Sequence, residues 1–385
     1  MFGKISNAIC ILVSFMIILF SFYGCSKGGN IITETKQSYS ETTVGSSVEE
    51  KTEVQTTATV YEKKEYPLND DAKWINLLGE RSYISSNSVV CDWTCSGMDF
   101  DVDCKGDVIF SVKVSNNCYF RAYVDGEEWL NGNSAYYEVL AGSGKVILKD
   151  LSKGVHNIKI IKVTGYTLAN AEFTKLTLTG RVIEEKTEDK ELLIEFVGDS
   201  ISCGYGVIGN YRGDYESQDG TLAYPYLIAN ELDADYSIVA LSGQGVACGD
   251  PNLVNSYKYA SHNRGTSKEF SFERKADIVI VNLGTNDYTN NVSPSTFRAE
   301  YIKLLEYIRE KNGEDCIIIA LYNMMNDGHG MNVDRAIEML GGEDNGYYVY
   351  KMNRTAKVYT SHPTAEENYA YTEVILGYID DILNS

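Results

Sequence analysis

Positive charge is in short supply in this chain: 34 lysines and arginines face 54 aspartates and glutamates, for a formal net charge of −20 over 385 residues. Without a basic surface there is no electrostatic grip on nucleic acid or on an anionic membrane, so a neutral partner is expected. Histidine is scarcer still, with four residues in all: His156, His262, His329 and His362. Cys91 and Cys95 are spaced like half of a zinc site, but no matching pair with histidine follows, and no metal is expected. The nine cysteines divide into Cys10 and Cys25 near the start and Cys91, Cys95, Cys104, Cys118, Cys203, Cys248 and Cys316. That second set is odd, so a monomer keeps at least one free thiol, and a disulfide among its first four members stays open and unassigned. Tryptophan is limited to Trp74, Trp93 and Trp129, all before residue 186. Any ligand stacking in the second half therefore falls to tyrosine, which is abundant at 29 residues.

A long apolar run occurs near the N-terminus, Ala8 to Phe22, behind a single Lys4 and with no acidic residue. It falls below the ~20 residues that span hydrocarbon, so it reads as a secretory signal over residues 1–24 and predicts an exported protein. Phe22-Tyr23-Gly24-Cys25 also resembles a bacterial lipoprotein cleavage box, which predicts lipid on Cys25 as the one route to a membrane; the alternative is a secreted protein in which Cys25 is incidental. Residues 25–66 are rich in Thr, Ser, Glu, Lys and Gln and poor in large apolar side chains. Such a stretch cannot offset its own ordering entropy and is expected to be a disordered tether.

Beyond it, two regions differ in periodicity. Residues 67–185 hold short β-branched and aromatic runs between turns, among them Asp107 to Val114, Tyr119 to Val124, Lys145 to Leu148 and His156 to Val163. No convincing amphipathic helix separates them, so a β-sandwich of jelly-roll type is expected. His156 opens one of these strands and reads as a hydrogen-bonded strand residue. From 186 to 385, strands alternate with helices. Leu192 to Val197, Tyr236 to Leu241, Asp277 to Leu283, Cys316 to Leu321 and Tyr347 to Tyr350 are strand candidates. Tyr224 to Leu232, Phe297 to Ile308 and Ala365 to Leu383 have helical spacing. Continuous apolar strands with intervening helices predict a mostly parallel sheet covered on both faces, with sites at the carboxyl ends of its strands.

Three polar blocks fall at those ends. Gly198-Asp199-Ser200 follows the first strand, Ser242-Gly243-Gln244-Gly245 the second and Gly284-Thr285-Asn286-Asp287 the third, while Ser361-His362-Pro363-Thr364 lies near the C-terminus. A serine on a strand-to-helix turn offers an exposed hydroxyl with free backbone N–H groups beside it, which is what a nucleophile needs. One Gly-Asp-Ser is an ordinary turn former; four blocks in this order are not. His262 and His329 stand next to no matching block, which leaves His362 as the candidate base.

In order and spacing the blocks resemble those of the SGNH, or GDSL-type, hydrolase superfamily. The preceding sandwich and the stretch Gln218 to Tyr224 extend the likeness to carbohydrate esterase family two, whose members are acetylxylan-type esterases. The resemblance implies a jelly roll followed by a three-layer α/β hydrolase domain. By position it implies Ser200 as nucleophile, His362 as general base, and the N–H of Ser200, the N–H of Gly243 and the Asn286 amide as oxyanion-hole donors. Elementary chemistry asks for the same types. Ester cleavage builds an oxyanion that short donors stabilise by roughly 3 to 4 kcal/mol each, glycine lets the backbone approach the substrate, and histidine titrates near ~6.5, where it can take and return a proton.

At one place the chain departs from the family, which commonly sets an aspartate two or three residues before the histidine; here Thr360 and Tyr359 stand there. The favoured expectation is a Ser-His dyad in which a backbone carbonyl receives the His362 Nδ1–H. The alternative is a distant acid, with Asp334, Glu343 and Asp344 as candidates. Tyr205 and Tyr288 adjoin the blocks and are the candidate sugar-stacking residues. The expected activity is removal of O-acetyl groups from plant cell-wall polysaccharide such as xylan or glucomannan through an acetyl-enzyme, with neither metal nor organic cofactor. Competing readings are deacetylation of bacterial cell-wall glycan or another small acyl ester, and a carbohydrate-binding protein without turnover.

Overall fold

The computed structural model describes residues 61–209, 215–263, 266–353 and 362–385. The expected signal, the Cys25 lipid site and most of the tether lie outside these residues. Among the described residues no helix is long and apolar enough to cross a membrane, and no disulfide is formed. Cys91, Cys95, Cys104 and Cys118 are free and buried thiols.

Ten strands make up the first region: β1 (Lys63–Pro67), β2 (Asn76–Leu78), β3 (Tyr83–Ile84), β4 (Val89–Cys91), β5 (Gly97–Val114), β6 (Cys118–Val124), β7 (Glu127–Glu128), β8 (Tyr137–Val139), β9 (Gly142–Lys162) and β10 (Ala171–Val182). They pair antiparallel in the order β3-β4-β10-β5-β9-β6-β7, with β1 on β10, β2 on β5 and β8 on β6. The region is rich in antiparallel sheet and consistent with a β-sandwich. In β6, Cys118, Phe120, Ala122 and Val124 are buried and the residues between them are not, the period-two signature of a strand with one face on a core. That core includes Phe100, Phe110, Phe120, Phe173 and Trp74, the last edge-on to Phe100 at 4.8 Å.

Two expectations are corrected here. Lys145 to Leu148 and His156 to Val163 are not separate strands: both runs fall on β9, which ends at Lys162 and pairs with β5 along its length. The chain bends rather than turns back between them: Asp150 and Gly154 have φ of 59° and 152°, and the register slips near Gly106 of β5 as in a bulge. The tether also ends earlier than residue 66, because Lys63–Pro67 is strand β1, in register with Thr179 to Lys175 of β10. Most of its side chains are exposed, so no apolar alternation marks it; the backbone ladder orders it, helped by Tyr66, which packs edge-on to Trp74 at 6.2 Å.

The second region holds β11 (Leu193–Gly198), β12 (Asp235–Ala240), a hairpin of β13 (Tyr259–Asn263) and β14 (Thr266–Glu269), then β15 (Ile278–Asn282), β16 (Ile317–Tyr322) and β17 (Tyr347–Lys351). Its helices are α1 (Tyr224–Glu231), α2 (Leu253–Ser256), α3 (Thr285–Thr289), α4 (Pro294–Asn312), α5 (Gly330–Met339) and α6 (Ala365–Leu383). Five strands form a parallel sheet in the order β12-β11-β15-β16-β17. One core lies on each face, with Phe297, Tyr301, Leu304, Leu305 and Ile308 of α4 on one side and Tyr371, Ile375 and Ile379 of α6 on the other. Each fully buried apolar side chain of this size contributes roughly 1.5–3 kcal/mol. The order reverses direction between β11 and β15, a switch point whose carboxyl end opens a crevice.

Arg81, from the first region, locks onto this sheet. Its guanidinium reaches Glu195 Oε1 on β11 at 2.8 Å and the carbonyls of Tyr257 and Tyr259 at 2.6 and 2.9 Å. Glu195 also accepts from Ser237 on β12 and from Tyr257 Oη. With both charges buried, such a pair is tolerable because every polar atom finds a partner.

Candidate active site

Ser200 comes two residues after β11 ends. No helix follows it; residues 200–208 run through successive turns, closed by Cys203 N–H to the Asp199 carbonyl at 3.2 Å and Tyr205 N–H to the Ser200 carbonyl at 3.0 Å. The expected strand-to-helix turn is thus a chain of turns. The N–H of Ser200 and the N–H of Gly243 still have no protein acceptor among the described residues. Gly243 sits after β12 with φ of +80°, and a Cβ there would meet nothing within 4 Å, so its backbone faces open space.

His362 is brought in by α6. Thr364 is the N-cap: its hydroxyl accepts from Glu367 N–H at 3.3 Å, while the Glu367 carboxylate accepts from Thr364 N–H at 2.9 Å, a capping box. Two residues earlier, His362 Nε2 lies 2.8 Å from Ser200 Oγ. Asn368, 1% exposed, ties the start of α6 to the start of α1: its Oδ1 accepts from Tyr224 N–H at 3.0 Å and its Nδ2 donates to the Thr364 carbonyl at 2.9 Å. Tyr224 Oη is in turn 2.8 Å from Ser202 Oγ. A chain of buried hydrogen bonds thereby joins the turn of Ser200 to the helix that presents His362. Sequence reasoning missed Asn368, since nothing local distinguishes it from any other helical asparagine.

Asn286 opens α3 behind β15. Its Nδ2 donates to the Gln244 carbonyl at 2.9 Å and to Asp199 Oδ2 at 3.1 Å. The neighbouring Asp287 is fully buried and accepts from the N–H groups of Val246, Ala247 and Cys248 at 3.1, 2.8 and 3.1 Å, which pins the loop carrying Gly243. Asp199 is also buried, and burial pushes its carboxyl up to about 7 despite the Ile201 N–H it accepts, with the nearby Asp287 charge adding to the rise. The supporting roles of Asp199 and Asp287 were not read from the sequence; the signal available was that each lies inside a block beside a named site residue.

Ser200, Tyr205, Ser242, Gly243, Thr285, Asn286, Thr289, Met325, Asn326 and His362 together line an open cavity of about 490 Å³. Tyr205 is on this wall, its ring 4.8 Å from that of His362. Tyr288 is not among the lining residues. On α3 Thr285, Asn286 and Thr289 face the cleft, and Tyr288 turns toward Gly328 and His329.

His329 is a core residue, stacked on Phe297 at 4.2 Å, and burial lowers its pKa. His156 bridges Asp125 Oδ2 at 2.7 Å and the Ser152 carbonyl at 3.0 Å in the first region. The backbone of His262 lies in β13. Tyr359 and Thr360 lie outside the described residues. Of the distant acids, Glu343 and Asp344 precede β17, at the end of the parallel sheet opposite Ser200, and Asp334 accepts from Tyr322 Oη at 3.1 Å. Among the described residues no cluster of histidine, cysteine and carboxylate side chains could hold a metal ion. The stretch Gln218 to Tyr224 centres on Asp219, which is fully buried and accepts from Tyr136 Oη at 2.9 Å and Arg121 Nη1 at 3.3 Å, so it braces the cleft against the first region.

A parallel sheet of this order, with serine, glycine and asparagine at three adjacent strand ends and histidine entering from the last helix, has the SGNH-type α/β fold. Residues 196–361 match the GDSL-like Lipase/Acylhydrolase family. Over 282 residues, 70% of the chain, the protein is 24% identical to the Cellulase/esterase CelE of Acetivibrio thermocellus, covering 33% of that protein. Over 217 residues, 51% of the chain, it is 23% identical to an acetylxylan esterase / glucomannan deacetylase of Cellvibrio japonicus, covering 60% of it. The chain thus spans between a third and three-fifths of these curated relatives. A solved family two carbohydrate esterase from Clostridium thermocellum, in complex with cellohexaose, superposes with a TM-score of 0.72 at 22% identity, over 80% of this chain and 99% of that one. At that identity the likeness establishes the shared fold.

Proposed function

We propose that the protein is an exported serine esterase that removes O-acetyl groups from plant cell-wall polysaccharide such as xylan or glucomannan. The observation that carries this reading is the contact of His362 Nε2 with Ser200 Oγ at 2.8 Å, on the wall of a cleft that also presents the unengaged N–H groups of Ser200 and Gly243. His362 Nε2 takes the Ser200 proton as Oγ attacks the acetyl carbonyl carbon. The C=O electrons move to oxygen, where the two backbone N–H groups receive the charge, joined by the Asn286 amide, which must share with the oxyanion an N–H that at rest points to Gln244 or Asp199. Collapse breaks the bond to the sugar oxygen, which leaves as a hydroxyl with the proton from His362, and the acetyl group remains on Ser200. Water then repeats the sequence, with His362 again as base, and acetate departs.

The relatives named for acetylxylan and glucomannan chemistry support the substrate class, as does the polar wall of Ser242, Thr285, Thr289 and Asn326, which suits sugar hydroxyls. Tyr205 is assigned to sugar contact. The first region is taken as a jelly roll, residues 63–185 with β1 included, with the hydrolase domain over 186–385, and a backbone carbonyl as the acceptor for His362 Nδ1–H. The deciding experiment is acetate release from acetylated xylan, acetylated glucomannan and O-acetylated peptidoglycan by the parent and by Ser200→Ala. The parent is expected to prefer the plant polymers and the variant to lose activity. A folded variant working at the parent rate would refute the mechanism, and preference for peptidoglycan would refute the substrate.

A further inference from the structure

Asp199 stands between the nucleophile turn and the Asn286 amide, and the steps above make no use of it. Its carboxyl is buried, the residue being 1% exposed. One oxygen accepts from Ile201 N–H at 3.0 Å, and the other accepts from Asn286 Nδ2 at 3.1 Å. The same nitrogen donates to the Gln244 carbonyl at 2.9 Å. An asparagine side chain has donors on nitrogen and acceptors on oxygen, and it turns to suit its neighbours. Here two acceptors converge on one end of it, one for each N–H, so the nitrogen must occupy that end, beside the Ser200 turn, and an oxyanion there shares one of these N–H groups with its resting acceptor. With the Gln244 carbonyl alone, that choice would rest on one neutral bond. Asp199 in its ionised form makes it a charge-assisted one.

The arrangement is costly, because burial raises the Asp199 carboxyl to about 7 and Asp287 adds to the rise; Cys203, Tyr224 and Cys248 also feel its charge. Buried carboxylates perturbed in this way concentrate at functional sites.

We propose that Asp199 is a positioning residue for acyl transfer at Ser200, acting through Asn286: it holds the amide with nitrogen rather than oxygen toward the place where the oxyanion forms. The proposal rests on the esterase reading above. Asp199→Asn keeps the shape and the acceptor for Ile201 N–H, but sets a second N–H₂ against Asn286 Nδ2 and so removes the lock. On a small chromogenic acetate ester, kcat is expected to fall by about 10- to 100-fold, somewhat less than the loss of a whole oxyanion donor, with KM within about twofold. Within an Asn286→Ala background the same change is expected to cost less than about threefold, because its route of action is already gone.

Parent kcat in Asp199→Asn, or losses that multiply in the double variant, would overturn the proposal. Should Asp199→Asn not fold, as judged by circular dichroism, Asp199→Ser is the substitute, with the same expected loss and the same double-variant criterion. Ser200→Ala run in parallel separates the two levels. Its retention of activity sinks the esterase reading, whereas an inactive Ser200→Ala beside a fully active Asp199→Asn sinks the positioning role alone.

Discussion

His362 Nε2 and Ser200 Oγ meet at 2.8 Å across 162 positions of sequence, and the meeting is arranged by residues that touch no substrate. Asn368 ties α6 to α1, the capping box at Thr364 fixes where α6 starts, and Asp287 holds the loop of Gly243.

Asn368→Ala leaves the Tyr224 N–H buried without its acceptor and loosens the start of α6. We expect a loss of about 1–3 kcal/mol in chemical denaturation. A shift of His362 by about 1 Å would lower kcat by up to about 100-fold, so kcat is expected to fall well beyond what the unfolded fraction explains. Parental kcat in the folded fraction would show that α6 holds its place without this residue.

Two glycines of one loop should respond differently to alanine. At Gly243 the new Cβ meets nothing within 4 Å, though φ is +80°, so stability should drop by only about 1–2 kcal/mol while the methyl group obstructs the approach of substrate. At Gly245 the Cβ would lie 2.1 Å from Asp287 Oδ2, which forces the carboxylate away from three N–H groups. Thermal melts should therefore rank Gly245→Ala as the less stable, and a reversed ranking would contradict the packing described.

Asp287→Asn removes the charge that receives Val246, Ala247 and Cys248 N–H. Hydrogen bonds to a charged acceptor are worth about 1.5–3 kcal/mol each. A destabilisation of at least about 2 kcal/mol is expected, measured by urea denaturation at neutral pH, together with a lower kcat. An unchanged midpoint would mean that the loop is held elsewhere.

His156 supplies a test by pH. Burial opposes its charge, but the bond to Asp125, the Ser152 carbonyl and the Asp125 charge together outweigh it, so its pKa is raised. A raised pKa means that the folded state holds the proton more tightly. The resulting stability is full below about 6.5, the unfolded value, and is lost as pH rises through the folded one. The Tm difference between the parent and His156→Gln should be larger at pH 5.5 than at pH 8.5. Equal differences would show that the imidazole is held by its shape alone.

Much of the second region could be read from its residues because local patterns were strong. The five parallel strands lie within a residue or two of their apolar runs, and α6 spans Ala365 to Leu383, where apolar spacing and a threonine N-cap coincide. The first region was less legible. Lys63–Pro67 carries only the single aromatic Tyr66 and no alternation, because most of its order comes from a ladder with β10, and β9 reads as two strands because a bend without chain reversal has the same turn residues as a hairpin. Tyr288 looked like a site residue from its neighbourhood, yet on a helix the residues four apart share a face, and Thr285 and Thr289 took the cleft.

The chain alone determined which groups stand at the strand ends: local rules set a serine after one strand, a glycine free to adopt positive φ after a second and an asparagine after a third, and each can be seen within a few residues. Only the tertiary structure decided that these groups share one cleft with His362, and that Asp199, Asp287 and Asn368 are their supports. Those contacts join residues tens to more than a hundred positions apart, and such a hydrogen bond leaves no mark on the sequence around either partner.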